Sequence, residues 1–212
     1  DRRQRQMCIR DSRKRGRLLD IGTGTGYFAD TMARRGWKVE AVEKSPQARA
    51  FAKEHFDLDV KPESALQEFA PGSFDVITLW HVMEHLEHLN ETWEMLRELL
   101  TEKGMLIVAV PNCSSYDAGR YGEYWAAYDV PRHLWHFTPV TIQQLASRHG
   151  FIMAARHPMP FDAFYVSMLS EKHRGSSCSF LKGMYAGTLA WFSTLGRKER
   201  SSSMIYVFRK KR

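Results

Sequence analysis

The chain has 212 residues, 43% hydrophobic and 26% charged, which suits one globular domain and is unlike a disordered chain. No apolar run approaches the roughly 20 residues a membrane span needs. The three cysteines, Cys8, Cys113 and Cys178, are too far apart for a CxxC zinc or redox site and fit a reducing, cytoplasmic setting. The net charge of +7 divides unevenly: residues 1–17 carry eight Lys/Arg against two acids and residues 197–212 seven against one, while 18–196 hold 16 basic and 21 acidic residues. The basicity belongs to two tails, which reads as solvated ends and not as a nucleic-acid partner. The sequence starts at Asp1 rather than Met, and nothing in it reads as a leader.

In chain order, Arg17–Ile21 reads as a buried strand and 26–35 as a helix stopped by Gly36. Lys38–Val42 is a second strand. Ser45 and Pro46 supply an N-cap and a first-turn proline for a helix to about Phe56. A short third strand is expected at 58–60 and a fourth, apolar and β-branched, at 74–79. Asn90 is the expected cap of a helix with the stripe Trp93, Leu96 and Leu100, and 105–110 is the next strand. This alternation predicts a doubly wound, mostly parallel sheet. Residues 111–137, rich in Tyr, Trp, His, Gly and Pro, read as a long functional loop. Thr138 and Pro139 then open a helix ended by Gly150, with a strand at 151–155, helices at 161–172 and 180–195, and a last strand at 204–209.

The strongest local signal is LLDIGTGTGYF, residues 18–28. A buried strand runs into Gly22, Gly24 and Gly26, then into a helix. Glycines there let the backbone turn sharply and approach a ligand. The dinucleotide fingerprint GxGxxG places its third glycine one residue later and rests a pyrophosphate on the helix N-terminus. Here Asp20 would repel such an anion and welcome an ammonium group. Glu43 follows the second strand, 21 residues after Gly22, where an acid can accept hydrogen bonds from two ribose hydroxyls.

With VEAVEKS (39–45), FDVITLWHVMEHLEH (74–88) and LTEKGMLIVAVPN (100–112), the chain resembles the class I S-adenosylmethionine-dependent methyltransferases. The resemblance covers about 17–157 and implies a Rossmann-like sheet of seven strands, the last antiparallel, with a helical insertion before it. It divides the single domain 1–212 into a cofactor core at 17–157, a helical elaboration at 158–203 and the last strand at 204–209. It implies S-adenosylmethionine as cofactor. Asp20, Gly22, Thr23, Gly24, Gly26, Tyr27 and Phe28 belong to the loop that receives it, with Asp20 and Gly22 at the methionine end. Glu43 takes the ribose, Lys44, Glu63 and Ser64 flank the adenine, and Trp80 and His81 border the sulfonium. The family often has an Asp where Glu63 stands. The MEHLEH stretch and VPN turn look closest to small-molecule bacterial enzymes resembling those of quinone biosynthesis.

In quinone O-methyltransferases a Glu holds the position of His81 and joins the counterparts of Glu84 and His85 around a divalent metal. A nitrogen at position 81 disfavours Mg²⁺, so the expectation is no metal, with Glu84 and His85 capping and packing the next helix. His81-Val82-Met83-Glu84-His85 also matches the zinc-hydrolase pattern HxxEH, but it straddles a strand end where that pattern needs one helix face. An acceptor OH or NH must lose a proton, and His81, His133 and His136 are the candidate bases. Tyr124, Trp125, Tyr128 and Trp135 are the expected walls of the acceptor pocket. The stripe Leu181, Met184, Tyr185, Leu189, Phe192 and Leu195 reads as core or lid packing and leaves room for weak membrane-surface contact, without insertion.

The sequence thus predicts methyl transfer to a small-molecule acceptor, with no nucleic-acid partner and an oligomeric state it does not reveal. The alternatives are a nicotinamide-dependent oxidoreductase on the same fold, or a cofactor-binding module without a competent acceptor pocket.

Overall fold

A computed structural model describes residues 16–211. Most of the N-terminal basic tail, including Cys8, and the final residue, Arg212, lie outside the described residues. Six strands form one sheet: β1 (Arg17–Ile21), β2 (Lys38–Val42), β3 (Phe74–Trp80), β4 (Leu100–Pro111), β5 (Phe151–Met159) and β6 (Ser203–Lys210). Their order is β2-β1-β3-β4-β6-β5. The first four are parallel, and β6 runs antiparallel to both neighbours. The helices are α1 (Tyr27–Arg34), α2 (Pro46–Phe56), α3 (Leu89–Leu99), α4 (Tyr116–Tyr121), α5 (Pro139–Arg148), α6 (Asp162–His173) and α7 (Ser179–Gly196).

The core is split by the sheet. Leu19, Ile21, Ile77, Leu79, Val108 and Val110 point to one side, against Trp93 and Leu96 of α3. Leu18, Val76, Trp80, Ile107 and Ala109 point to the other, against Phe28 and Met32 of α1. Strands buried on both faces need continuous apolar runs, which β3 and β4 supply. The chain continues to opposite sides of β1 toward β2 and toward β3, so a crevice opens at the C-terminal ends of β1 and β3, the usual ligand position in such sheets. Gly22 and His81 are the first residues beyond those two ends.

Several expectations need correction. Six strands form among the described residues, not seven. The expected third strand at 58–60 does not form; just past it there is one bridge, Val42 with Lys61. Pro62 follows, has no N–H to donate, and leads into a 3₁₀ turn at Glu63–Glu68. Asn90 does not cap α3; His88 holds that place without a side-chain bond, and Asn90 Oδ1 meets His149 Nε2 at 3.0 Å. The Ser45 and Thr138 caps form as predicted, accepting from Ala48 N and Thr141 N. Residues 111–137 are structured by α4 and two 3₁₀ turns, Gly122–Tyr124 and Ala126–Tyr128.

The stripe on α7 faces the opposite way from core packing. Gly183, Ala186, Gly187, Ala190 and Thr194 are the buried positions, and Leu181, Tyr185, Phe192 and Leu195 are exposed. The glycines decide this. A Cβ on Gly183 would lie 2.5 Å from Met168 Cα, and one on Gly187 2.7 Å from Phe164 Cα. The small face lets α6 approach closely, and the large side chains are left outside. Among the described residues no helix is long and apolar enough to cross a membrane.

Candidate functional site

Three glycines carry the turn from β1 into α1, each with positive φ: Gly22 +67°, Gly24 +58° and Gly26 +84°. Their surroundings differ. A Cβ on Gly26 would meet Ala52 Cβ at 2.9 Å, so this glycine lets α1 sit close to α2. A Cβ on Gly22 would strike Val82 at 2.5 Å, while one on Gly24 would meet nothing within 4 Å. Gly24 therefore borders open space. The Thr23 hydroxyl beside it is buried with no hydrogen-bond partner, an orphan polar atom that a bound ligand would satisfy.

Glu43 closes the loop from the other side. Its Oε2 accepts from Gly24 N at 2.9 Å and its Oε1 from Ser45 N at 2.8 Å. An ionised carboxylate offers about four lone-pair sites, so each oxygen keeps one for a further donor. The loop is also fixed by Gly22 N and Thr23 N, which both donate to Val42 O.

A cavity of about 510 Å³ opens here, lined by Ile21, Gly22, Val42, Glu43, Lys44, Glu63, His81, Val82, His85, Leu86, Glu87, His88 and Thr92. It brings together five of the expected cofactor residues: Gly22, Glu43, Lys44, Glu63 and His81. Val82, His85, Leu86, Glu87, His88 and Thr92 were not expected to line the site, although the 74–88 motif already ran through all of them but Thr92. A cavity of about 660 Å³ at the opposite end of the strands holds none of the glycine-loop residues; its charged groups, such as Lys210 and Glu102 at 3.0 Å, face each other. That end of the sheet is not the candidate.

Other expected cofactor residues stand elsewhere. Asp20 is fully buried under the loop, its Oδ1 accepting from Thr78 Oγ1 at 2.6 Å, so it supports the β1–β3 junction rather than lining the cavity. Tyr27 packs edge-on to Phe56 of α2 at 4.8 Å. Phe28 and Trp80 pack edge-on to each other at 5.2 Å in the core. Ser64 is exposed outside the cavity lining.

The histidines separate by environment. His81 adopts φ +57°, rare for a side-chain-bearing residue, and is pinned by its N–H to Ala109 O at 2.9 Å. Its Nδ1 lies 3.2 Å from Glu84 Oε1 and its Nε2 3.5 Å from Asp162 Oδ2. Burial pushes its pKa down, but the hydrogen bonds and charges of Asp162 and Glu84 outweigh that and raise it to about 9. An imidazole protonated at neutral pH has no lone pair to accept a proton, which favours a cationic role for His81 over the base role expected of it. His133 is the reverse case: burial, the largest influence, lowers its pKa. Its Nδ1 donates to Ala127 O at 2.8 Å, which leaves Nε2 as the lone-pair nitrogen. His136 is exposed and bonded to Tyr128 O at 3.0 Å, outside the cavity lining.

The divalent-metal set implied by the quinone-enzyme resemblance does not fit, because both His81 nitrogens are engaged by carboxylates. A different trio converges: one ligand atom each of Glu84, His85 and His133 lies within 4.8 Å of the others. Glu84 is 1% exposed and its Oε2 has no partner. His85 donates its Nδ1–H to Arg132 O at 2.9 Å. Among the described residues, those three side chains are the ones that converge closely enough to hold a cation.

None of the four expected acceptor-pocket aromatics lines the cavity. Trp125 is 1% exposed and donates to the buried Asp117 at 2.8 Å, so it is core. Tyr128 packs edge-on to Trp125 at 5.1 Å, and Tyr124 lies exposed under Arg174. Trp135 comes nearest, donating to the carbonyl of Leu86, a cavity residue, at 2.7 Å.

Comparison with known proteins bears on this site. A family model described as a methyltransferase domain matches residues 2–155. The mitochondrial ubiquinone biosynthesis O-methyltransferase of Schizosaccharomyces pombe is 35% identical over 101 residues, 44% of this chain and 37% of that protein. The ubiquinone biosynthesis O-methyltransferase of Cereibacter sphaeroides is 30% identical over 158 residues, 69% of this chain and 64% of that protein. The chain therefore spans less than two thirds of these relatives' length. A SAM-dependent methyltransferase from Archaeoglobus fulgidus superposes with a TM-score of 0.66 at 18% identity, covering 99% of this chain and 92% of that one, a likeness of fold.

Proposed function

The chain belongs to the methyltransferase family, and from that premise we propose that it transfers the methyl group of S-adenosylmethionine to a small-molecule acceptor. The observation that carries this reading is the clasp of Glu43 on Gly24 beside open space. Its two remaining lone-pair sites suit the ribose 2′ and 3′ hydroxyls. The orphan Thr23 hydroxyl and the space over Gly24 fit a ligand lying across the loop. Lys44 and Glu63, which line the cavity with Glu43, would flank the adenine.

When bound, S-adenosylmethionine supplies a sulfonium whose methyl carbon accepts an in-line attack. The chain's part is to position the acceptor and exclude water. His133 stands outside the cavity lining, but with its lowered pKa and an Nε2 lone pair 3.9 Å from Asp129 Oδ2 it is the histidine best suited to take a proton from an acceptor hydroxyl or amine. His81, a cation held by Glu84 and Asp162, ties the end of β3 to the start of α6. The relatives named above are O-methyltransferases, which favours a hydroxyl acceptor over an amine here.

The test is methyl transfer from labelled S-adenosylmethionine across a panel of catechols, phenols and small amines. Labelled catechol product, lost in Glu43→Ala, supports the reading. Failure across the whole panel by a protein that binds the cofactor would favour a cofactor-binding module without transfer.

A further inference from the structure

Helix α7 turns its packing inside out. Leu181, Tyr185, Phe192 and Leu195 recur at helical spacing down its outer side, each more than half exposed, while the small residues opposite them meet α6. The stripe runs for roughly 20 Å at 1.5 Å per residue. An exposed apolar surface of this extent, with one side of the helix already packed, is an interaction surface.

Charge identifies the occupant. Lys182 stands in the first turn of α7, and Arg197 and Lys198 follow its end. Among the described residues no carboxylate pairs with any of the three. Cations thus mark both ends of the apolar stripe. A second copy stacked along it, parallel or antiparallel, would set cation against cation. The chain's own N-terminal residues, polar and basic, are no match for an apolar stripe. A surface that is apolar within and negative at its rim satisfies both features.

We propose that the α6–α7 hairpin docks on an anionic lipid bilayer, with Leu181, Tyr185, Phe192 and Leu195 in the headgroup boundary and Lys182, Arg197 and Lys198 against lipid phosphates. The helix lies in the interface and does not cross it. The hairpin is rooted at the candidate site, since Asp162 at the start of α6 lies 3.5 Å from His81. Docking therefore holds that site near the bilayer surface. The inference goes beyond methyl transfer and does not depend on it.

The test is co-sedimentation of the full chain with vesicles of phosphatidylcholine alone and of phosphatidylcholine with phosphatidylglycerol. Binding should be at least about fivefold greater to the anionic vesicles and should fall as salt rises. The pairs Leu181→Gln with Phe192→Gln, and Arg197→Gln with Lys198→Gln, should each reduce it by at least about fivefold. Both pairs should keep wild-type circular dichroism and S-adenosylhomocysteine affinity, which separates this inference from the proposed function. Equal sedimentation with both vesicle types, or folded variants that bind like wild type, would overturn it. So would a lipid-free dimer that Phe192→Gln dissociates, which would assign the stripe to a second copy.

Discussion

Glu43 Oε2 accepts the Gly24 amide proton at 2.9 Å, joining the end of β2 to the middle of the glycine loop across 19 positions of sequence. One carboxylate both sets the loop and faces the ligand space. Glu43→Gln keeps the size but puts an NH₂ group where an N–H now donates. Charge-assisted bonds of this kind are worth about 1.5–3 kcal/mol each. S-adenosylhomocysteine should bind at least about tenfold more weakly to Glu43→Gln, with helix content unchanged. An unaltered dissociation constant would remove Glu43 from the ribose position.

Two glycines in the same loop should fail differently. Gly26→Ala forces a Cβ to 2.9 Å from Ala52 as well as straining a left-handed φ, so its main effect should be a lower melting temperature. Gly24→Ala meets no protein atom and bears only the left-handed penalty, about 1–2 kcal/mol. Its added methyl enters the ligand space, so cofactor affinity should fall in a protein that stays folded. The contradictory result is Gly24→Ala binding S-adenosylhomocysteine like wild type.

The legibility of the chain follows how far apart the determining contacts lie. The glycine loop and the Ser45 and Thr138 caps depend on neighbours within a few residues, and the sequence displays them. The position of Glu43 beside the loop was legible because a strand end has a fixed relation to it. Trp125 was not: its burial depends on Asp117, Tyr128 and Ser170 of α6 converging around one turn. Nor was the direction of α7, an apolar helix on most sides, where close approach at Gly183 and Gly187 chose the inner face. The weak strand at 58–60 lost to Pro62. The charge of His81 was not legible because it depends on Asp162, 81 positions away, as well as on the nearby Glu84.

His81 provides a pH test. Its pKa is raised to about 9 from 6.5, burial being outweighed by Asp162 and Glu84. Protonation is therefore favoured by the fold. The stability it contributes is complete below pH 6.5 and is lost as pH rises through about 9. Wild-type melting temperature should decline across that window more than that of His81→Gln. An imidazole resonance for His81 titrating at or below 6.5 would contradict the arrangement.

The cation-capable trio sits apart from the ribose end of the cavity. Chelator treatment should leave S-adenosylhomocysteine affinity within about twofold, since Glu43 and the loop amides hold their geometry without Glu84, His85 or His133. A tenfold loss that added zinc restores would tie cofactor binding to those three residues.

The most direct test of the account is calorimetric titration of the wild-type chain with S-adenosylhomocysteine and, separately, with NAD. The GTGTG loop with Glu43 predicts one molecule of S-adenosylhomocysteine bound per chain, displaceable by S-adenosylmethionine, and no measurable heat from NAD. Saturable NAD binding, or no binding of S-adenosylhomocysteine by the folded chain, would contradict it.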